Sequence, residues 1–222
     1  MDRRAWNRVE SFFMTDRSST ERARGLYDQY APRYDRDTGI YERVMLGDGR
    51  SWACSQAQGD VLEVAVGTGR NLPFYPLGIR LVGVDLSPAM LAIARDRACR
   101  LGVDVELREA DAQALPFEDA GFDTVVCTLG LSSIPDDRAA VAQMYRVLRP
   151  GGQVRLMGHV ASDKPVVRAA QHLLERYSLP LVGDHQTRRQ LPLVLEAGFV
   201  VRQRRSFRGG AIERLAAVKP FG

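Results

Sequence analysis

Cysteine is scarce in this chain of 222 residues: Cys54, Cys99 and Cys127 are scattered without close pairing. An odd, dispersed set supplies neither a disulfide framework nor a metal site, so no metal is expected. Long apolar runs are also missing. None approaches the ~20 residues that cross a bilayer, and Met1-Asp-Arg-Arg-Ala-Trp6 lacks the apolar core of a signal peptide. These absences lead to an expectation of a cytoplasmic protein without stable membrane insertion. Repeats and low-complexity linkers are absent too, and a chain of this length can bury a substantial core as one domain. Histidine occurs only at His159, His172 and His185, which limits the candidates for proton transfer near neutral pH.

A net charge of +4 and a pI near 9.2 invite a nucleic-acid reading. The charge is dispersed, however. Its densest cluster, Arg202, Arg204, Arg205 and Arg208, alternates through a probable edge strand, where a solvated face is the common explanation. No nucleic-acid partner is expected.

What is present is a glycine turn paired with an acid. Val61-Leu-Glu-Val-Ala-Val-Gly-Thr-Gly69 begins as an apolar run suited to a parallel strand buried on both faces, and Gly67 and Gly69 let the backbone turn and approach a ligand. A helix is expected to follow and to aim its N-terminal N–H groups at that ligand. Leu81-Val-Gly-Val-Asp85 ends in an acid at the offset where both hydroxyls of an unphosphorylated ribose can be bound. A tight turn with no ligand is the alternative, and the paired Asp85 weakens it. Leu72 stands where a dinucleotide fingerprint needs its third glycine, and Arg70-Asn71-Leu72-Pro73 does not supply the Gly-Lys-Ser/Thr of a phosphate loop. A nucleoside without phosphates fits better.

Further apolar runs at Leu81–Val84, Val103–Leu107, Phe122–Cys127 and Val154–Met157 read as strands separated by helical periods, which means a parallel α/β sheet. Ser87-Pro88 opens a helix as N-cap and first-turn proline, and Arg149-Pro-Gly-Gly152 stops another before its strand. Phe199–Arg205 and Ala211–Val218, joined through Gly209-Gly210, read as a closing hairpin.

Taken in order, several segments resemble the class I S-adenosylmethionine-dependent methyltransferases, in particular their small ubiquinone/menaquinone-type branch. They are Tyr27-Asp-Gln-Tyr-Ala-Pro-Arg-Tyr34-Asp35, Glu63–Gly69, Val84-Asp-Leu-Ser-Pro-Ala-Met-Leu91, Asp111-Ala-Gln-Ala-Leu-Pro-Phe117 leading to Phe122-Asp-Thr-Val-Val126, and Val147-Leu-Arg-Pro-Gly-Gly152. The resemblance spans nearly the whole chain and implies one Rossmann-like domain: a helical cap over residues 1–58, then a mostly parallel sheet flanked by helices with a C-terminal antiparallel hairpin over residues 59–222. It implies S-adenosylmethionine as cofactor. Glu63 and the Gly67-Thr68-Gly69 backbone would hold the methionine end, Asp85 the ribose and Asp111 the adenine amino group, with Thr128 near the methionine. Ala65, Asn71, Leu86, Met90 and Ala112 fall within the same expected cofactor site, and Tyr34 at its mouth. Ala65 stands where the family often has glycine, a small-for-small change that the turn is expected to tolerate. Relatives that methylate adenine amino groups carry Asn/Asp-Pro-Pro-Tyr/Phe after the fourth strand, where this chain has Thr128-Leu-Gly-Leu131.

The expected reaction is methyl transfer to a small apolar or aromatic acceptor through oxygen, sulfur or nitrogen, with lipids and quinones included. A nicotinamide-dependent oxidoreductase and a non-catalytic cofactor-binding protein are the alternatives. Such transfer needs alignment and exclusion of water, plus a base only for an acceptor that is protonated at working pH. His185, in the polar segment Val182–Arg188, is the first-choice base. His159, at the carboxyl end of a strand, is the second, and His172 reads as helix surface. Tyr27, Tyr30 and Tyr34 share a helical face that either packs the cap or meets a ligand. Trp6, Phe12 and Phe13 read as an apolar face that lids the site or meets a neighbour. Val166–Tyr177 is amphipathic; core packing is favoured over rest on a membrane surface, although peripheral contact stays open. Oligomeric state is not legible.

Overall fold

The apolar runs assemble into seven strands in the order β3-β2-β1-β4-β5-β7-β6. In chain order these are β1 (Asp60–Val64), β2 (Arg80–Asp85), β3 (Glu106–Glu109), β4 (Phe122–Thr128), β5 (Leu148–His159), β6 (Val200–Phe207) and β7 (Ile212–Val218). The first five run parallel, and β7 is antiparallel to both β5 and β6. The computed structural model describes the backbone of residues 3–221 and the side chains of residues 19–221. The face carrying Trp6, Phe12 and Phe13 lies outside the described side chains.

The strands alternate their side chains between two cores, as the pleat requires. Leu62, Val64, Val125 and Cys127 join the cluster covered by α4 (Asp137–Val147) and α6 (Gln190–Glu196), whereas Val61, Leu81 and Val126 pack with α2 (Gly49–Cys54) and α3 (Pro88–Leu101). α3 begins as the sequence predicts. Ser87 Oγ accepts from Met90 N at 3.1 Å, Pro88 takes the first turn, and Gly102 ends the helix in the left-handed region. α4 is capped by Asp136, whose Oδ1 accepts from Ala139 N at 2.9 Å. Arg149-Pro-Gly-Gly152 lies inside β5, which starts directly after α4.

The helix expected after the glycine turn is not there. A single 3₁₀ turn, Leu72–Phe74, leads instead to β2. Pro73 and Pro76 each lack a donor, and each biases its preceding residue away from helical backbone, so the segment cannot propagate. Gly69 serves a packing role at this turn. Its φ is +77°, and a Cβ there would stand 2.9 Å from Leu72 Cδ1 and 3.2 Å from Ala94 Cβ on α3.

α1 (Arg3–Met45) crosses the carboxyl edge of the sheet and is fastened to it mostly by polar bonds. Arg24 pairs with Glu109 at 2.7 Å, and Tyr27 Oη shares a hydrogen bond with Ser133 Oγ at 2.5 Å. Asp28 Oδ1 accepts from Ser87 Oγ at 2.5 Å, and Asp35 accepts from Thr68 Oγ1 at 2.7 Å while pairing with Arg97. Further along, Glu42 pairs with Arg50 at 2.7 Å. α1 thus roofs the crevice outside the strand ends, where open α/β sheets bind ligands.

Gly69→Ala should destabilise the protein by roughly 1–3 kcal/mol through left-handed strain and the clash with α3. Denaturant unfolding measures it, and an unchanged midpoint would contradict this packing.

Candidate active site

β2 delivers Asp85 to the floor of a cleft beneath α1. Its Oδ2 accepts from Gly67 N at 2.8 Å and its Oδ1 from Ser87 N at 2.9 Å, so one carboxylate ties the loop after β1 to the start of α3. A carboxylate offers about four acceptor positions, so these backbone bonds leave acceptor capacity for a ligand hydroxyl. Burial pushes Asp85 up to about 6, against the lowering effect of the Ser87, Gly67 and Leu86 backbone donors.

The cleft is lined by Tyr34, Ala65, Gly67, Asp85, Leu86, Met90, Asp111, Ala112 and Thr128, together with Tyr27 and the Leu129–Pro135 loop. Ala65 and Leu129 have φ values of +57° and +61°, unusual for non-glycine residues. Gly67, at φ +57°, would place a Cβ against nothing within 4 Å, so its backbone borders open space. Asp111 is held by Gln113, whose Nε2 donates to Oδ1 at 2.8 Å and whose backbone N donates to the same oxygen at 2.9 Å. Leu86, Met90 and Ala112 supply apolar wall between the two acids.

Glu63, Thr68, Gly69 and Asn71 do not line this cleft. Asn71 Nδ2 donates to Glu63 Oε1 at 2.8 Å and to Thr128 Oγ1 at 2.9 Å, and Tyr75 Oη donates to Glu63 Oε2 at 2.9 Å. Arg50 Nη1 then donates to Asn71 Oδ1 at 2.8 Å and to Thr128 Oγ1 at 3.1 Å. The result is a buried polar chain from Glu63 through Asn71 and Arg50 to Glu42, set behind the cleft. Burial pushes Glu63 up to about 7, opposed by the Tyr75 and Asn71 hydrogen bonds and by Arg50. Thr68 is turned to Asp35 and Arg97, which fasten the roof.

A second cavity continues from the first. They share Tyr27, Tyr34, Leu129 and Ser133, and the second adds Tyr30, Asp37, Tyr41, Glu42, Leu174, His159 and Asp184. Its described lining holds four tyrosines and three carboxylates and no Arg or Lys. Tyr30 and Tyr34 meet edge to face at 5.5 Å. Burial raises the Tyr41 hydroxyl to about 12, and raises Tyr27 and Tyr34 further, so all stay protonated.

His159 Nε2 lies 3.1 Å from Asp184 Oδ1 and 3.2 Å from the His185 carbonyl oxygen. Both partners accept, so a neutral ring carries its proton on Nε2, and Nδ1, buried without a partner, keeps the lone pair. Burial would raise Asp184, but hydrogen bonds from His159 and Ser132 help to hold the carboxyl below its ordinary range. His185 lines neither cavity. Its backbone N donates to Ser132 O at 2.9 Å, and its ring stands 3.8 Å from the Glu175 carboxylate. Burial and the charge of Arg188 lower its affinity for a proton. Of the two candidate bases, the second borders the cavity and the first does not. His172 is exposed on its helix.

Sequence reasoning passed over Arg50, Gln113, Tyr41 and Asp184. Tyr41 follows Tyr34 by two helical turns, so extending the face of Tyr27, Tyr30 and Tyr34 finds it. Arg50 and Asp184 act through partners distant in sequence and leave no local signal, whereas Gln113 holds a carboxylate only two residues before it.

Residues 61–152 match a family model described as a methyltransferase domain. With the sheet order and the acid-ended β2, this defines the class: the chain belongs to the class I S-adenosylmethionine-dependent methyltransferases, and S-adenosylmethionine is its methyl donor. It is 33% identical over 169 residues to a demethylmenaquinone methyltransferase of Thermus thermophilus, over 71% of this chain and 75% of that protein. It is 42% identical over 121 residues to a phosphatidylethanolamine N-methyltransferase of Cereibacter sphaeroides, over 54% of this chain and 60% of that protein. A SAM-dependent methyltransferase structure from Thermotoga maritima superposes with a TM-score of 0.68 at 20% identity, covering 89% of this chain and 99% of the other, a likeness of fold alone. Family membership displaces the oxidoreductase alternative.

The raised Glu63 has a stability signature. A carboxyl whose folded pKa lies above its unfolded value stabilises the fold while protonated, and that contribution is lost as pH rises through about 7. Glu63→Gln stays neutral throughout. Relative to the native chain, the variant should gain roughly 1–3 kcal/mol between acid and mildly alkaline pH, read from melting curves. A pH-independent difference would contradict the buried-acid assignment.

Proposed function

We propose that the chain methylates an amine carried by a small or amphiphilic molecule, with the first cleft holding S-adenosylmethionine and the second holding the acceptor. The carrying observation is the composition of the second cavity, whose described lining sets tyrosines and carboxylates around a space with His159 but without Arg or Lys. Aromatic faces and acids together attract an ammonium group, and no Arg or Lys of the described lining opposes it. A quinol or phenol gains nothing from that charge pattern.

The residues fit the cofactor. Asp85 has acceptor positions free for ribose hydroxyls, Asp111 is fixed by Gln113 to accept from the adenine amino group, and Leu86, Met90 and Ala112 offer apolar surface to a base. Gly67 leaves the backbone bare beside the ribose position. Bound there, the cofactor would supply an electrophilic methyl group on a sulfonium, suited to in-line attack by an acceptor lone pair. The protein's part is alignment and exclusion of water, which the α1 roof serves.

An ammonium must lose a proton before its nitrogen can attack. His159 is the residue we assign to that proton, accepting it at Nδ1 while Asp184 holds Nε2–H and stabilises the imidazolium. Asp184 is a positioning residue. The demethylmenaquinone and phosphatidylethanolamine enzymes among the relatives make quinols and phospholipid amines the two acceptor classes to compare first.

Asp85→Ala should weaken S-adenosylmethionine binding by roughly 1–3 kcal/mol in calorimetry, and unchanged affinity removes the ribose role. His159→Gln should lower kcat roughly 10²-fold or more with cofactor affinity retained, and normal turnover removes the base. Transfer of labelled methyl to amines, aminophospholipids, thiols, phenols and quinols, with products identified by mass, tests the acceptor. N-methyl product is expected, and product from a quinol alone refutes the amine.

A further inference from the structure

α5 (Pro165–Val182) is an amphipathic helix mounted the wrong way round for water. Its inward stripe is polar. Gln171, the helix's one buried residue, donates through Nε2 to Val160 O at 2.7 Å, and its Oε1 accepts from Ser162 N at 2.8 Å. Glu175 Oε2 accepts from Thr187 Oγ1 at 2.7 Å, and Ser178 Oγ donates to Asp184 O at 2.8 Å. The outward face is apolar: Val166 is 83% exposed, Leu173 59%, Leu174 51%, Tyr177 64% and Leu181 70%. At about 100° per residue these five fall within an arc of roughly 100°, a continuous stripe opposite Glu175. The core packing favoured for this helix from sequence is therefore not what the structure shows.

The stripe does not stand alone. α1 and α5 are in contact, and α1 exposes Ile40 and Val44 beside the partly exposed Tyr41. Tyr41 and Leu174 are also walls of the acceptor cavity. Apolar surface thus rims the mouth of the cavity on two helices. Arg176 borders the α5 stripe on one side, Arg43 is exposed between Ile40 and Val44, and the exposed acid nearest to them on α1, Asp37, is paired with Arg36. The acid of α5, Glu175, is turned inward to Thr187.

We infer that this face docks on the surface of a lipid bilayer carrying anionic headgroups, and so opens the acceptor cavity to an amphiphile held in the membrane. Contiguous exposed apolar surface marks an interaction site. Apolar side chains flanked by arginine are the pattern of a helix lying in the membrane interface, drawn there by anionic lipid. Among the described residues no helix is long and apolar enough to cross a membrane, which leaves the surface. A second copy of the chain is the poorer occupant, because it would cover the cavity mouth and bring like-charged arginines together. The role given to the cavity rests on the acceptor reading above, whereas the docking itself is measured without methyl transfer, so the two can fail separately.

The test is flotation of the purified full chain with phosphatidylcholine vesicles, with and without phosphatidylglycerol, against a Leu173→Ser/Leu181→Ser double variant. Neither residue lines either of the two cavities, so the variant should keep its melting temperature and its affinity for S-adenosylmethionine. The native chain should float with phosphatidylglycerol vesicles and less so with phosphatidylcholine alone or in high salt. The double variant should partition about tenfold or more weakly. No flotation of the native chain, or equal flotation of the variant, overturns the proposal. Failure to float combined with a dimer in sedimentation that the double variant dissolves assigns the face to a second copy instead.

Discussion

The site depends on keeping one carboxylate, Asp85, at the buried end of a strand. Taking an acid out of water is costly unless hydrogen bonds replace the solvent, and here backbone donors of Gly67 and Ser87 do so. Those donors belong to the two loops that border the cleft. A single buried acid therefore fixes the glycine turn against the start of α3 and still keeps acceptor capacity for a ligand. Its affinity for protons, raised by burial to about 6, records the cost of that placement. The roof is tied to the same point, since Asp28 on α1 accepts from Ser87 Oγ.

The sheet was legible because its strands are apolar runs of the right length, and because Gly67, Asp85 and Ser87-Pro88 mark their ends by local chemistry. Residues that line the first cleft largely sit one or two positions beyond a strand, where topology alone puts them. Legibility fails where long-range bonds decide. Asn71 and Glu63 read as cofactor contacts, but they bond to one another behind the cleft, where Asn71 also accepts from Arg50. His185 sits in a polar segment that suggested catalysis, yet the chain turns its ring toward Glu175 and brings His159 and Asp184 together instead. The missing helix after Gly69 follows from Pro73 and Pro76, whose signal was local and outweighed the expected strand-turn-helix pattern.

α5 shows the limit of periodicity most clearly. A hydrophobic stripe identifies an amphipathic helix but not the side that faces the protein. Here Gln171, Glu175 and Ser178 satisfy backbone and side-chain groups of the neighbouring loops, and the apolar stripe is left outside. The same loops carry Asp184 and adjoin His159 at the end of β5, so the polar packing that turns the helix over also shapes the second cavity. Roof, cavity and exposed stripe are consequences of one arrangement: polar fastening inward, apolar surface at the mouth.

The central claim is that two joined cavities under α1 align donor and acceptor across the carboxyl ends of the strands. A crystal structure with S-adenosylhomocysteine tests it most directly. The account predicts ribose hydroxyls on Asp85, the adenine amino group on Asp111 and the thioether sulfur at the junction lined by Tyr27, Tyr34 and Ser133. A thioether directed away from that junction, or a ribose without contact to Asp85, would contradict it.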